Sequence, residues 1–274
     1  MDLSSRVRLN NGVQMPWLGL GVFQSVPGQE TEQAVRWALE IGYQHVDTAA
    51  FYDNEQDVGR ALKDSGRGRE SVFVTTKVWN ADQGYEATLR AFDRSRQKLG
   101  LDVVDLYLIH WPVKGKIRET WRAMEKLYSQ GKARAIGVSN FLVHHLEELA
   151  QASTVSPAVN QVEFHPFLVQ KELLAHETRQ GIRPEAWAPL TRTRGFGNPV
   201  IASLAAKYGR TPAQIILRWD LQMGVVTIPK SVHRERIEEN SRVFDFTLAP
   251  ADVEKLTALD EGARIGPNPD TIDF

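Results

Sequence analysis

Eight short apolar runs, each followed by a stretch with helical spacing, recur from one end of this chain to the other. They are LGLGVF (18–23), YQHVD (43–47), VFVTTK (72–77), VVDLYLIH (103–110), RAIGVSN (134–140), AVNQVEF (158–164), RPEAWAPL (183–190) and VVTIPK (225–230). The runs are near-continuous rather than alternating, which suits parallel strands covered by helices. The segments between them carry one apolar face. Leu142, Leu146, Leu149 and Ala150 fall at i, i+4, i+7 and i+8, and Leu89, Phe92 and Leu99 do the same before Gly100, a helix stop. Thr211-Pro212-Ala213-Gln214 reads as a capping box with proline at the first helical position.

This alternation predicts an α/β fold, a single (β/α)8 TIM barrel over residues 1–274. The length could hold two domains, but barrels of ~250 residues are single units, and no long polar linker or low-complexity segment interrupts the pattern. RVRLNNGVQM (6–15) reads as a β-hairpin turning at Asn11-Gly12, placed to cap the barrel bottom. An open doubly wound sheet would carry Gly-x-Gly-x-x-Gly after its first strand. Here Gly19-Leu20-Gly21 is followed by Val22, Phe23 and Gln24, so the third glycine is missing. Pro184 inside a presumed central strand predicts an irregularity or bulge.

Composition removes several functions. A formal net charge of −1 gives no reason to expect nucleic acid or an anionic membrane surface as partner. Without cysteine there are no disulfides, thiolate metal sites or cysteine nucleophiles. No apolar run of about 18 residues marks a membrane span. The first residues, MDLSSRVRLNNG, lack the apolar core of a signal peptide, so a cytoplasmic protein is expected.

Barrel active sites form at the C-terminal ends of the strands. Those ends collect Asp47, Lys77, His110, Ser139-Asn140, Gln161, Trp187 and Lys230-Ser231. Singly, each has a plain structural explanation: a turn cap, a satisfied core histidine, the cap of the next helix. Together, with Tyr52 just beyond in HVDTAAFYDNE (45–55), they place a carboxylate, an ammonium, an imidazole and a phenol at one barrel mouth. A phenol titrates near 10 in water. An ammonium ~4 Å away at an effective dielectric of ~20 favours its phenolate by ~4 kcal/mol. That lowers its pKa by up to ~3 units before desolvation takes some back. The expectation is that Asp47 holds Lys77, and Lys77 tunes Tyr52 as a general acid. No metal is expected. His144 and His145 are adjacent on a helix and should point about 100° apart, a solvated ring beside a half-buried one.

GYQHVDTAAFYDNEQDVG (42–59), GKARAIGVSNF (131–141) and IPKSVHRERIEEN (228–240) resemble, in order, the motifs of the aldo-keto reductases. LIHWP (108–112) and NQVEFHP (160–166) are similar to two further blocks of that family. The resemblance implies NADPH-dependent reduction of aldehydes or ketones, hydride passing from the nicotinamide while Tyr52 protonates the carbonyl oxygen. It implies Asp47, Tyr52, Lys77 and His110 as a catalytic tetrad, with His110 neutral and orienting the substrate. Ser139, Asn140 and Gln161 match the positions that grip the nicotinamide carboxamide. The ring would stack on Trp187, where many relatives have tyrosine, with Leu190 also beside the cofactor. Lys230, Ser231 and Arg236 match the 2′-phosphate site, with Glu239 and Asn240 near the adenine.

Within the family the chain is similar to the bacterial short-loop branch that includes 2,5-diketo-gluconate reductases. The marks are VKGKIRETW directly after HWP, EAWAPL, and the tail RIGPNPDTIDF. Phe23, Trp79 and Trp111, just past strand ends, would line an open aromatic pocket for α-keto esters, keto-sugars or diketo-gluconate-like carbonyls. The branch also implies a monomer. Three departures qualify the match. Gln44 stands for the usual arginine. His233 replaces an arginine that faces the 2′-phosphate in some relatives, which opens the site to some NADH use. The loop TRTRGFGN (191–198) is unlike the small-residue loop expected beside the pyrophosphate, and Arg192 or Arg194 is expected to fold over bound cofactor. Two rivals are weighed. A metal-dependent hydrolase on this fold would begin with His-x-His, which is absent. A non-catalytic relative of channel-subunit or lens-protein type is disfavoured by the intact tetrad, and turnover separates it.

Overall fold

The structure is a computed structural model and describes residues 1–272; the last two residues of the chain, and so the end of the tail motif, lie outside the described residues. A hairpin comes first, β1 (Arg6–Arg8) paired antiparallel with β2 (Gln14–Pro16). Gly12 takes the left-handed conformation (φ +88°) at its turn, as Asn11-Gly12 predicts. Eight parallel strands follow in sequence order: β3 (Leu20–Gly21), β4 (His45–Asp47), β5 (Phe73–Val78), β6 (Val104–Ile109), β7 (Ala133–Ser139), β8 (Val159–Glu163), β9 (Arg183–Trp187) and β10 (Val226–Thr227). Every predicted run forms a strand, most of them shortened; β5 runs one residue past its predicted end and β7 begins one residue before its predicted start.

The first and last strands meet. Leu18 bridges to Thr227 and Gly21 to Lys230, and the Gly19 amide donates to the Thr227 carbonyl at 3.0 Å. A side chain at Gly21 would place its Cβ 2.8 Å from the Ile228 carbonyl oxygen, so closure needs glycine there. Ten helices stand in the described residues: α1 (Gln29–Ile41), α2 (Glu55–Asp64), α3 (Tyr85–Leu99), α4 (Ile117–Ser129), α5 (Val143–Ala150), α6 (Lys171–Gln180), α7 (Pro199–Tyr208), α8 (Pro212–Gln222), α9 (Arg234–Ser241) and α10 (Pro250–Thr257). None is long and apolar enough to cross a membrane.

Local signals hold with one exception. Gly100 ends α3 in the left-handed conformation, and Thr211 and Gln214 form the reciprocal capping box of α8. On α5, Leu146 and Leu149 are buried, but Ala150 is exposed because the helix ends there. The hairpin plugs the barrel at the N-terminal ends of the strands. Val7, Leu9 and Met15 pack with Phe73, Leu106, Leu108, Ala135, Val159 and Val226. Gln44 ties into the same region by accepting from Arg6 Nη2 at 2.8 Å.

The bulge expected at Pro184 is absent. β9 pairs with β8 in unbroken register from Val159↔Arg183 to Glu163↔Trp187. In a parallel ladder alternate residues bond to opposite neighbours. Arg183 bonds toward β8, so Pro184 faces β10, whose pairing begins one residue later at Val226↔Glu185. No ladder donor is missing where Pro184 sits, and the Gly224 carbonyl accepts Arg183 Nη1 at 2.9 Å instead.

Candidate active site

β4 ends at Asp47 and β5 carries Lys77 on its inward face, so the barrel wall sets these two charges side by side and buried. Lys77 Nζ spends its donors on Asp47 Oδ1 at 2.6 Å, the Thr48 carbonyl at 3.0 Å and Tyr52 Oη at 3.2 Å. Tyr52 closes a short 3-10 turn (Ala50–Tyr52) after β4, and Asp53 at φ +53° redirects the chain into α2. Burial alone would lower the Lys77 pKa, but the Asp47 charge and the bonds to Tyr52 outweigh it, and the net shift is upward. Lys77 therefore stays an ammonium.

Tyr52 departs from expectation. Enclosure of the hydroxyl raises its pKa, and the Asp47 charge adds to that; Lys77 pulls down but does not win. The phenol is raised above its ordinary value, not lowered. It is fully protonated at neutral pH, which is the form a general acid needs. His110 is held well below its ordinary range by burial and by the Lys77 charge, so it is neutral as expected.

Beneath these groups lies a carboxyl that the motifs did not single out. Gln161 Nε2 donates to Asp47 Oδ2 at 2.7 Å and to Glu185 Oε2 at 2.8 Å. Its amide has committed both N–H groups to carboxyls and keeps only an acceptor oxygen. His45, one layer below Asp47 on β4, bonds to Thr75 Oγ1 at 3.0 Å and lies 3.8 Å from Glu185 Oε1. A glutamate inside an otherwise apolar run, RPEAW, was the available signal.

Ser139, Asn140 and Trp187 are brought beside this cluster. Ser139 Oγ donates to the Gln161 carbonyl at 2.7 Å, Asn140 Nδ2 donates to the His110 carbonyl at 2.9 Å, and Trp187 Nε1 donates to Asn140 Oδ1 at 2.8 Å. The indole is pinned from behind by Gly266, where any Cβ would come within 2.4 Å of the ring. Glu163 holds that segment by accepting the Ile265 and Gly266 amides at 2.6 and 3.1 Å.

Asp47, Tyr52, His110, Ser139, Asn140, Gln161, Trp187 and Gly266 face one cleft of about 830 Å³. Phe23, Trp79 and Trp111 line it as expected. The Phe23 and Tyr52 rings are 4.9 Å apart, and Trp79 meets His110 edge-on at 5.2 Å. Sequence reasoning missed Phe51, an exposed ring stacked on Trp79 at 3.8 Å; an aromatic next to Tyr52 in the same loop was its signal. It also missed Pro267 and Ile272 of the tail, which close the same wall.

The cleft continues to Leu190, Lys230, Ser231, His233, Arg236, Glu239 and Asn240. His233 is the N-cap of α9 and its amide donates to Ser231 Oγ at 3.1 Å, so the helix opens toward the cleft. Glu239 is anchored by Thr211 Oγ1 at 2.8 Å. Of the two loop arginines, Arg192 lines the cleft and Arg194 does not. Thr191, Arg192 and Thr193 are all left-handed (φ 50°, 51° and 69°), a conformation uncommon for side-chain-bearing residues. His144 is exposed and His145 half-buried, as expected, but their rings do not diverge. The two rings lie 4.0 Å apart, and His144 Nε2 reaches Asp270 Oδ1 at 3.0 Å. His145 Nδ1 accepts the Leu142 amide, so its proton sits on Nε2 and that nitrogen has no lone pair for a metal.

Residues 17–261 match the model of the Aldo/keto reductase family. The chain belongs to the aldo/keto reductase family. It is 55% identical over 273 residues to the glyoxal reductase of Bacillus subtilis (strain 168), covering 100% of this chain and 99% of that one. Among solved structures, MGS-M4, an aldo-keto reductase from a deep-sea metagenome library, superposes with a TM-score of 0.95 at 46% identity, covering 98% and 100% of the two chains. A mutant of Gox0644 in complex with NADPH superposes with a TM-score of 0.94 at 42% identity, covering 99% of each. In this reductase residues 113–116 alone separate the HWP segment from α4, in keeping with the bacterial short-loop branch.

Proposed function

We propose that this aldo/keto reductase is an NADPH-dependent carbonyl reductase that turns small aldehydes and ketones, α-dicarbonyls among them, into alcohols. The observation that carries the reading is one chain of contacts, Asp47 to Lys77 at 2.6 Å and Lys77 to the Tyr52 hydroxyl at 3.2 Å, ending in the cleft. The rim of that cleft suits a phosphorylated dinucleotide. Lys230 and Arg236 supply cations, Ser231 a hydroxyl, and the start of α9 its amide dipoles. Gln161 offers an acceptor oxygen toward a carboxamide donor, and Trp187 a ring of fixed orientation.

NADPH, when bound, supplies the hydride. The protein supplies the rest. Neutral His110 donates one hydrogen bond to the substrate carbonyl and orients it. Tyr52 gives its proton to the carbonyl oxygen as negative charge develops there, and Lys77 stabilises the phenolate left behind. Asp47 keeps Lys77 charged and in place. The aromatic walls of Phe23, Phe51, Trp79 and Trp111 exclude water and accept flat or small carbonyls of many kinds, which fits a relative named for glyoxal. His233, exposed at the rim, leaves room for some NADH use. On this reading residues 1–274 act as one domain and as a monomer, as the resemblance to the short-loop branch implies.

The test follows loss of reduced-cofactor absorbance with glyoxal, methylglyoxal, an α-keto ester and a bulky ketone, with NADPH and NADH in parallel. Turnover with NADPH is expected, falling by about 10² or more in Tyr52→Phe. Tight NADPH binding without turnover of any carbonyl would move the protein to the non-catalytic branch of the fold.

A further inference from the structure

The tetrad rests on a carboxyl that the chemistry above does not use. Glu185 is fully buried on β9, its Oε2 accepts Gln161 Nε2 at 2.8 Å, and its Oε1 has no hydrogen-bond partner. The same Gln161 nitrogen holds Asp47 Oδ2 at 2.7 Å, so two carboxyls share one amide. We propose that Glu185 is a positioning residue of the reductase: kept as a neutral carboxyl, it fixes the Gln161 amide against Asp47 and spares the buried cluster a second negative charge when Tyr52 gives up its proton. The inference rests on the carbonyl-reductase reading of the cleft.

The groups around Glu185 make ionisation costly. From β4 come His45, 3.8 Å away, and Asp47; from β5 comes Lys77; from β8 comes the neutral Gln161; and on β10 its partner Val226 and the following Thr227 carry no charge. His45 is not a cation, because burial and the charges of Lys77 and Arg6 hold it neutral. Lys77 is already matched by Asp47 at 2.6 Å. An ionised Glu185 would therefore leave one uncompensated negative charge in a dry interior, with a bare oxygen that no donor reaches. Burial, and then the Asp47 charge, push the Glu185 carboxyl up to about 8.

The consequence has a sign. Proton donation leaves Tyr52 as a phenolate, and a second anion nearby opposes that. Reduction is then fastest while Glu185 is protonated and declines as pH rises through its titration. Glu185 passes no proton itself; it only stays neutral.

Two readouts test this. The first needs no cofactor. Infrared difference spectra of the cofactor-free protein between about pH 6.5 and about pH 9 should show loss of a protonated-carboxyl band in wild type that Glu185→Gln lacks. Glu177, a buried carboxyl on α6 also pushed to about 8 by burial, titrates in both proteins and cancels in the subtraction. The second is kcat with NADPH against pH. The ratio of Glu185→Gln to wild type should climb about tenfold from pH 7 to pH 9, as expected when one ionisation ends activity. Glu185→Leu, which removes the acceptor for Gln161, should weaken NADPH binding by roughly tenfold, while Glu185→Gln, whose amide oxygen keeps that acceptor, should restore most of it. The same carboxyl band lost in wild type and in Glu185→Gln, or superimposable pH profiles, overturns the proposal. If no carbonyl turns over at all, the infrared and binding measurements still decide it.

Discussion

The two ends of this barrel are built from the same strands and differ in almost every physical respect. On β5, Phe73 packs into the apolar plug at the bottom, while Lys77, four residues on and on the same face, is the buried ammonium at the mouth. On β8, Val159 belongs to the plug and Gln161 to the carboxyl-sharing layer. Between the extremes lies a layer of His45, Thr75 and Glu185, polar and held neutral. Polarity therefore rises along the barrel axis in steps of one inward residue. At the bottom, apolar side chains are buried without needing partners. At the mouth, the buried ammonium of Lys77 and the amide of Gln161 are each held by specific neighbours.

Lys77→Met should break this division most severely. It removes the counter-charge of Asp47, and a buried ion left unpaired costs roughly 3–5 kcal/mol. It also strips the phenolate of its stabilising charge. A loss of 10² or more in kcat should come with a urea midpoint lowered to match. Tyr52→Phe should lose a similar factor in kcat with a much smaller change in the midpoint, because no buried charge is orphaned. Equal destabilisation in the two variants would show that Asp47 is not held by Lys77 in solution. Met15→Ala should do the opposite of Tyr52→Phe. Met15 is fully buried in the plug, and truncation of such a side chain costs about 2–5 kcal/mol. Denaturant unfolding should show that loss, while the KM for NADPH measured in the folded range stays near the wild-type value.

The sequence disclosed these two ends unequally. The eight strands, the hairpin and the capping box of α8 follow from patterns of a few residues, which local physics decides. Asp47, Lys77 and His110 were legible as candidates because they sit at strand ends, where barrel geometry converges, and Tyr52 because it lies in the turn just after β4. Three things were not. Glu185 looks like any interrupting polar residue until the fold sets it across from Asp47. The Tyr52 pKa depends on the balance of burial against one ammonium, and burial can only be weighed once the walls exist. Pro184 was misjudged because the test for a proline in a strand is which neighbour its missing N–H would face, and that is a matter of sheet order.

The rim offers a sharper version of the contrast, since its charges are exposed where the tetrad is enclosed. Lys230→Ala and Arg236→Ala should each weaken NADPH binding by roughly 10-fold, the range of one charge-assisted hydrogen bond. Neither should alter NADH binding more than about twofold, because NADH lacks the 2′-phosphate. Fluorescence titration at two salt concentrations checks this. The NADPH effect should shrink at high salt, as it does for exposed charges. An equal loss for both cofactors would place these side chains on the shared pyrophosphate rather than on the 2′-phosphate.

The smallest effect belongs to the loop after β9. Arg192 lines the cleft and Arg194 does not, although they are two residues apart. Three successive left-handed residues, Thr191 to Thr193, hold Arg192 there, and Thr191 Oγ1 accepts the Gly195 amide at 3.0 Å to fix the turn. Arg192→Ala should raise the dissociation constant of either cofactor by a few-fold, in line with an exposed charge whose worth is about 1 kcal/mol or less. Arg194→Ala should leave it at the wild-type value. Because the cost of ordering a long side chain offsets much of its attraction, the two variants must be compared side by side at low salt. If Arg194 proved the stronger of the two, the loop would have to turn over on binding, and the left-handed run would be the hinge that lets it.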